Sequence, residues 1–186
     1  MQSTTNPAAS AAGLLSAMTV RNAATVAVPL PGRLRIVVAS DAAGALHRRQ
    51  LAADLALHPL VATLIDLTPS TPPPYPDAAF AAARLIAEGH ADRALLVCHT
   101  GMGMAVAANK VRGVRAVTAH DPYSVEHAVR YTNAQVLCLG QKIVPLESAR
   151  ELLAVWLAHR FDPACSAAVK VAAITDFEHA RDHRPA

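Results

Sequence analysis

Five short, almost wholly apolar runs recur along the chain, and helical patterns separate them. This alternation constrains the fold more than any other feature. The runs are RLRIVVAS (33–40), VATLIDL (61–67), ALLVC (94–98), RAVTAH (115–120) and AQVLCLG (134–140). ALLVC is continuously apolar, as a strand buried on both faces should be. The helical segments are 45–57, 77–91, 104–111, 122–132 and 146–161, with a further helix over 166–180. In the first of them Leu46, Leu51 and Leu55 share one side at helical spacing, and the arginines are expected to face away. His58-Pro59 ends it. The prolines of 68–76 exclude helix or central strand there. Asp77 is the expected N-cap of 77–91, with Gly89 near its end. Alternating strands and helices with short connections imply right-handed βαβ units, hence an α/β fold with a parallel sheet covered on both faces.

Composition narrows the function classes. Of the 186 residues, 53% are hydrophobic and 17% charged, so the chain has the means to build a core. Aromatics are only 4%, so that core must be aliphatic and rich in alanine. No apolar run is long and clean enough to span a bilayer. The net charge of +3 comes from scattered residues, which gives nucleic-acid binding little support. Three widely spaced cysteines, Cys98, Cys138 and Cys165, form neither a disulfide framework nor a zinc pattern. A reducing, cytoplasmic compartment is expected. Residues 1–32 hold a single charge, Arg21, with no basic region ahead of an apolar stretch. They are expected to be a loosely ordered extension, 33–180 one domain, and 181–186 a polar tail.

Ligands of such sheets bind beyond the carboxyl ends of the strands, near the switch point. That rule directs attention to Asp41, Cys98–Gly103, His120–Ser124 and Asn133. Cys98 ends a buried strand and opens a glycine turn into a helix. The dipole there favours a thiolate that could act as a base. A buried core cysteine is the competing reading. In Thr100-Gly101-Met102-Gly103-Met104, two glycines let successive N–H groups converge on an oxyanion, an enediolate or a phosphate. The turn lacks the third glycine of a dinucleotide fingerprint and the Walker lysine, so nucleotide binding is a minor reading. Asp41 can receive sugar hydroxyls or cap a helix. His120 can contact substrate or move a proton, or with Asp121 simply cap the next helix. His99 could steer protons within the turn. His47, His58, His90, His127 and His159 read as surface residues. No ligand spacing suggests a metal.

The block LLVCHTGMGMAVAANKVRGVRAVTAHDPYS (95–124) resembles the signature of the ribose-5-phosphate isomerase B / LacA–LacB sugar-phosphate isomerase family. Cys98, Thr100, Gly101, Gly103, Asn109, Lys110, Gly113, Arg115 and Ala116 carry the likeness. It extends to Asp41, Gly44, Tyr75-Pro76, Asn133-Ala134 and Gly140, and covers roughly 33–178. The resemblance implies a Rossmann-like three-layer α/β/α domain with a five-stranded parallel sheet. It implies a homodimer, sometimes a dimer of dimers, with active sites shared between subunits. It also implies aldose–ketose isomerisation through a cis-enediolate, with no cofactor. Carried over, Cys98 is the base, and Thr100 and Asp41 contact substrate hydroxyls. The backbone of Gly101, Met102 and Gly103 stabilises the enediolate oxygen. Asn133 helps complete this oxyanion hole from the other subunit. Tyr75, His99, Asn109, His120 and Lys170 complete the expected substrate-binding set.

The departures carry information about substrate. Asp41-Ala42 stands where the family usually has aspartate-histidine. Thr132 stands where a ring-opening histidine is usual, and Ser166 and Lys170 replace two phosphate-gripping arginines. His99 replaces a glycine. A four-carbon sugar phosphorylated on O4 cannot close a furanose ring, so its enzyme needs no ring-opening histidine. The family's D-erythrulose 4-phosphate branch has motifs similar to Asp41-Ala42-Ala43-Gly44 and Asn133-Ala134-Gln135. A tetrose phosphate is therefore the expected substrate, with ribose 5-phosphate as the alternative. A non-catalytic partner subunit, which the presence of Cys98 argues against, and a sugar-phosphate sensor are further alternatives.

Overall fold

The computed structural model of the protein describes residues 32–67 and 71–181. The extension and tail expected at 1–32 and 181–186 therefore lie outside the described residues, apart from Gly32 and Arg181. In chain order the elements are β1 (Leu34–Ser40), α1 (Ala45–Leu57), β2 (Val61–Asp66), α2 (Tyr75–Ala87), β3 (Arg93–Cys98) and α3 (Met102–Ala108). Then come β4 (Ala116–Thr118), α4 (Pro122–Thr132), β5 (Val136–Gly140), α5 (Leu146–Ala158) and α6 (Ala168–Arg181). One turn of 3-10 helix, Ala42–Gly44, links β1 to α1.

All strand pairs are parallel, in the order β2-β1-β3-β5-β4. Side chains of a strand alternate between faces, and each face has its own helices. Ile36, Val38, Leu95, Val97, Leu137 and Leu139 pack with Leu51 and Leu55 of α1, Val125 and Val129 of α4, and Leu152 and Trp156 of α5. On the other face Val37, Ala39, Leu96, Cys98, Val136 and Cys138 meet α2 and α3. There Ala78, Ala79, Ala82 and Ala83 let α2 lie close on the sheet, which explains how so few aromatics suffice. The α/β reading and the five parallel strands of the sequence hold.

Several details differ. Leu46 is 51% exposed, whereas Arg48, expected to face solvent, is only 7% exposed and pairs with Asp66 at the end of β2. A guanidinium is long enough to run along the edge of the sheet and still reach a carboxylate. Helix α2 begins at Tyr75 rather than Asp77. Pro74 takes the cap position and Pro76 sits in the first turn, where its missing N–H costs nothing. Asp77 is thus a first-turn acid rather than the cap. Helix α3 starts two residues before the expected 104 and ends at Ala108. Strand β4 is shorter than 115–120, because the N–H of Arg115 turns to the Gln135 side chain. Helix α5 stops at Ala158, not 161. His159 is extended there, and the buried Arg93 donates to the carbonyls of Trp156 and His159. Among the described residues no helix is long and apolar enough to cross a membrane.

Candidate active site

The chain crosses from β1 outward to β2, then back to β3 on the other side. The crevice beyond the carboxyl ends of β1 and β3 is therefore the switch point. Asp41 follows β1 and Cys98 ends β3, with Ser40 paired to Val97 and Cys98 paired to Gly140 of β5. Asp41 Oδ1 accepts the N–H of Gly44 at 3.0 Å, so the capping role read for it is real. A carboxylate has further lone pairs for a ligand.

Cys98 is buried, and its Sγ accepts the N–H of Gly101 at 3.1 Å. Gly101 lies in the left-handed region at φ +83°, which a side chain would strain. That conformation turns the chain back on the sulfur and starts α3. The first intrahelical bond runs from Ala105 N to Gly101 O at 3.1 Å. The N–H groups of Met102, Gly103 and Met104 thus precede any intrahelical partner and point out of the helix start. Gly140 presses against this turn from β5. A Cβ there would lie 2.5 Å from Thr100 Cα. The Tyr75 ring at the start of α2 covers Gly103, where a Cβ would meet it at 2.8 Å. Asp41, Tyr75, Cys98, Thr100, Gly101, Met102 and Gly103 therefore line one rim. His99 is exposed beside them, and its carbonyl accepts the Lys142 N–H at 3.1 Å. His120 follows β4 on the same rim, exposed. Asp121 caps α4 through the Ser124 N–H at 2.8 Å, and Ser124 holds its carboxyl below the usual carboxylate range.

Cys138, on β5, faces the same layer as Cys98. Burial pushes its thiol well up, and the neighbouring Cys98 adds to the rise. It is a core thiol, neutral near neutral pH.

Three of the expected site residues lie elsewhere. Asn109 Nδ2 donates to Ala116 O and its Oδ1 accepts Ala116 N–H, both at 2.8 Å. This ties the end of α3 to the start of β4, away from the rim. Asn133 precedes β5 and so lies at its amino end, contrary to the carboxyl-end placement read from the sequence. It closes α4 with φ +49°, and its carbonyl accepts Arg115 Nε at 3.0 Å. Lys170, exposed, is on α6. That helix starts near Arg130, whose carbonyl receives the Cys165 thiol, and ends where Glu178 takes the Gly113 N–H at 3.1 Å. Both anchors are at the amino ends of β4 and β5. The level of Ala94 and Val136 is four residues below that of Cys98 and Gly140, on the order of 13 Å at strand rise. Within one chain Asn133 and Lys170 cannot meet Cys98.

Sequence reasoning passed over Gln141 and Lys142. They follow the carboxyl end of β5 as Asp41 follows that of β1, and the same positional rule would have found them. His47, read as a surface residue, is half-buried and bonds Val144 O at 3.0 Å.

With this geometry in place, the comparisons with known proteins are decisive. The model of a family described as Ribose/Galactose Isomerase matches residues 36–174. The chain belongs to this family. The D-erythrulose-4-phosphate isomerase 2 of Mycolicibacterium smegmatis is 48% identical over 154 residues, spanning 79% of this chain and 99% of its own length. The D-erythrulose-4-phosphate isomerase of Pectobacterium atrosepticum is 42% identical over 112 residues, 60% of this chain and 73% of that one. Among solved structures, the type B ribose 5-phosphate isomerase of Leishmania infantum superposes with a TM-score of 0.75 at 28% identity, covering 80% of this chain and 99% of that one. The protein is thus an aldose–ketose isomerase of sugar phosphates, with the Rossmann-like α/β/α architecture of this family.

Proposed function

We propose that the chain interconverts D-erythrulose 4-phosphate and D-erythrose 4-phosphate, with Cys98 as the base. The thiolate takes a proton from C1 of the ketose, and the C1–H electron pair forms the C1=C2 bond of a cis-enediolate. The C2 oxygen takes up the carbonyl electrons. Returning the proton to C2 while the proton on O1 passes to O2 gives the aldose, and no redox partner is consumed. The N–H groups of Met102 and Gly103 hold the developing oxyanion. Asp41 and Thr100 orient the hydroxyls, Tyr75 walls the site, and His99 and His120 serve to pass the hydroxyl proton. The observation that carries this reading is Cys98 at the switch point, its sulfur turned to the Gly101 N–H beside unpaired helix-start donors. The names of the 48% and 42% identical relatives favour the tetrose. Ribose 5-phosphate is the second reading, favoured by the name of the Leishmania structure.

The substrate phosphate is held by a second copy of the chain, through Lys170, and Asn133 of that copy helps complete the oxyanion hole. Support comes from α6. Phe177 is 65% exposed and Ile174 is also exposed, and both share a helical face with Lys170, seven and four residues along. A partner that covers those side chains brings Lys170 to its own rim. The three free thiols suit a reducing, cytoplasmic setting.

Turnover of D-erythrulose 4-phosphate, D-ribose 5-phosphate and D-allose 6-phosphate, with Cys98→Ala alongside, tests this. The tetrose should be preferred and Cys98→Ala should abolish turnover while binding survives. Equal turnover of ribose 5-phosphate would refute the substrate. An active Cys98→Ala would refute the base.

A further inference from the structure

Asp41 and Cys98 stand at the ends of neighbouring strands β1 and β3, and a side chain from beyond β5 adds a further tie between their two parts of the rim. Helix α1 has no side-chain cap of its own, since Gly44 precedes it. The N–H of His47, in its first turn, instead donates to Gln141 Oε1 at 2.9 Å, across 94 positions of sequence. The N–H of the same glutamine donates to Cys98 O at 2.8 Å. Lys142 N–H follows onto His99 O, continuing the β3–β5 contact past the strand ends. The turn that holds Gln141 is closed by Ile143 N and Val144 N on Gly140 O, at 3.0 and 2.9 Å. The His47 ring clamps it from the other side. Val144 O can only accept, so Nε2 carries the proton of that bond.

We infer that Gln141 is a positioning residue for the isomerisation. The inference rests on the reading of Asp41 and Cys98 as parts of one site. Gln141 touches neither reacting group. Its main-chain N–H grips the end of β3, and its side chain holds the helix turn that directly follows Asp41. Losing the side-chain bond leaves an orphan N–H at the start of α1 and frees that turn to shift against Cys98. Misplacing reacting groups by about 1 Å can cost on the order of a hundredfold in rate. The work is done by Oε1 as an acceptor. A carboxylate in its place accepts the same N–H, and its charge is favourable at a helix start.

The experiment compares sugar-phosphate turnover by wild type, Gln141→Met, Gln141→Asn and Gln141→Glu, with thermal unfolding of each. Met keeps the length and removes the acceptor, and Asn is too short to reach His47. In both, kcat should fall by about tenfold or more with KM changed by less than about threefold, as expected for misplacement rather than lost binding. In Gln141→Glu, kcat should return close to wild type, whatever the added charge does to KM. Unchanged kcat in folded Gln141→Met or Gln141→Asn overturns the inference. So does a kcat for Gln141→Glu as low as for Met, which would place the glutamine's NH2 group on the substrate instead. A wild type inactive on every sugar phosphate would overturn the reading of the site and this inference together. An active wild type with unaffected Gln141 variants overturns this inference alone.

Discussion

The sulfur of Cys98 meets a main-chain N–H because two residues packed around its turn, Gly101 and Gly140, have no side chain. Gly101 supplies the positive φ that aims an N–H at the sulfur, and Gly140 lets β5 lie against the turn without a Cβ between them. A methyl group at Gly140 would sit 2.5 Å from Thr100 Cα, and the obstacle is main chain, which cannot rotate away. Overpacking of this kind costs about 1–3 kcal/mol. Gly140→Ala should therefore lower the unfolding free energy by about that amount, seen in denaturant titration, and lower kcat by more than the stability loss alone accounts for. A fully active Gly140→Ala of unchanged stability would mean the turn tolerates displacement. The glycines of the turn were legible in the sequence as a tight turn from strand into helix. Gly140 was legible only through family resemblance, because its role depends on a contact across two strands.

The strands and helices were legible because their periodicities differ and the short apolar runs are almost unbroken. Their ends were less so, because tertiary partners set them. Arg93 and Arg160 take the last carbonyls of α5, and Gln141 caps α1 from a distance. Arg48 turned inward because Asp66 waits at the end of β2. Another such tie can be tested by pH. Arg35 at the start of β1 meets Asp92 just before β3, with Nη2 to Oδ1 at 2.6 Å, and the Arg35 N–H donates to Oδ2 at 2.7 Å. Partial burial would raise the Asp92 carboxyl, but the bonds from Arg35 outweigh it and hold the group below its ordinary 3.8. A depressed acid stabilises the fold above its unfolded pKa, and that contribution is lost as pH falls through the folded value. Wild type should therefore be more stable than Asp92→Asn at pH 7, with the difference shrinking below about pH 4 in thermal melts. A gap that persists unchanged at pH 2 would assign the effect to packing instead.

The molecule as a whole presents its proposed chemistry in two places. One end of the sheet carries Asp41, Cys98 and the helix-start donors. The other carries Asn133 and, on α6, Lys170. The sequence named members of both groups. The positional rule put Asn133 with Cys98, and only the family resemblance set it apart, on the other subunit. Strand direction decides between them. Asn133 precedes β5 and Cys98 ends β3, so in one chain they point to opposite rims. If the two groups serve one substrate, each site takes its base from one subunit and its phosphate grip from the other. In a two-fold dimer this has an arithmetic consequence. Cys98→Ala leaves no base in either site, and Lys170→Ala leaves no grip in either. When the two variants are unfolded together and refolded in equal amounts, about half the dimers are mixed. Each mixed dimer joins the intact Cys98 of one chain to the intact Lys170 of the other in one of its two sites, so about a quarter of wild-type activity should return. Sites built within single chains would stay crippled in every dimer, and the mixture would show only the average of its two parents.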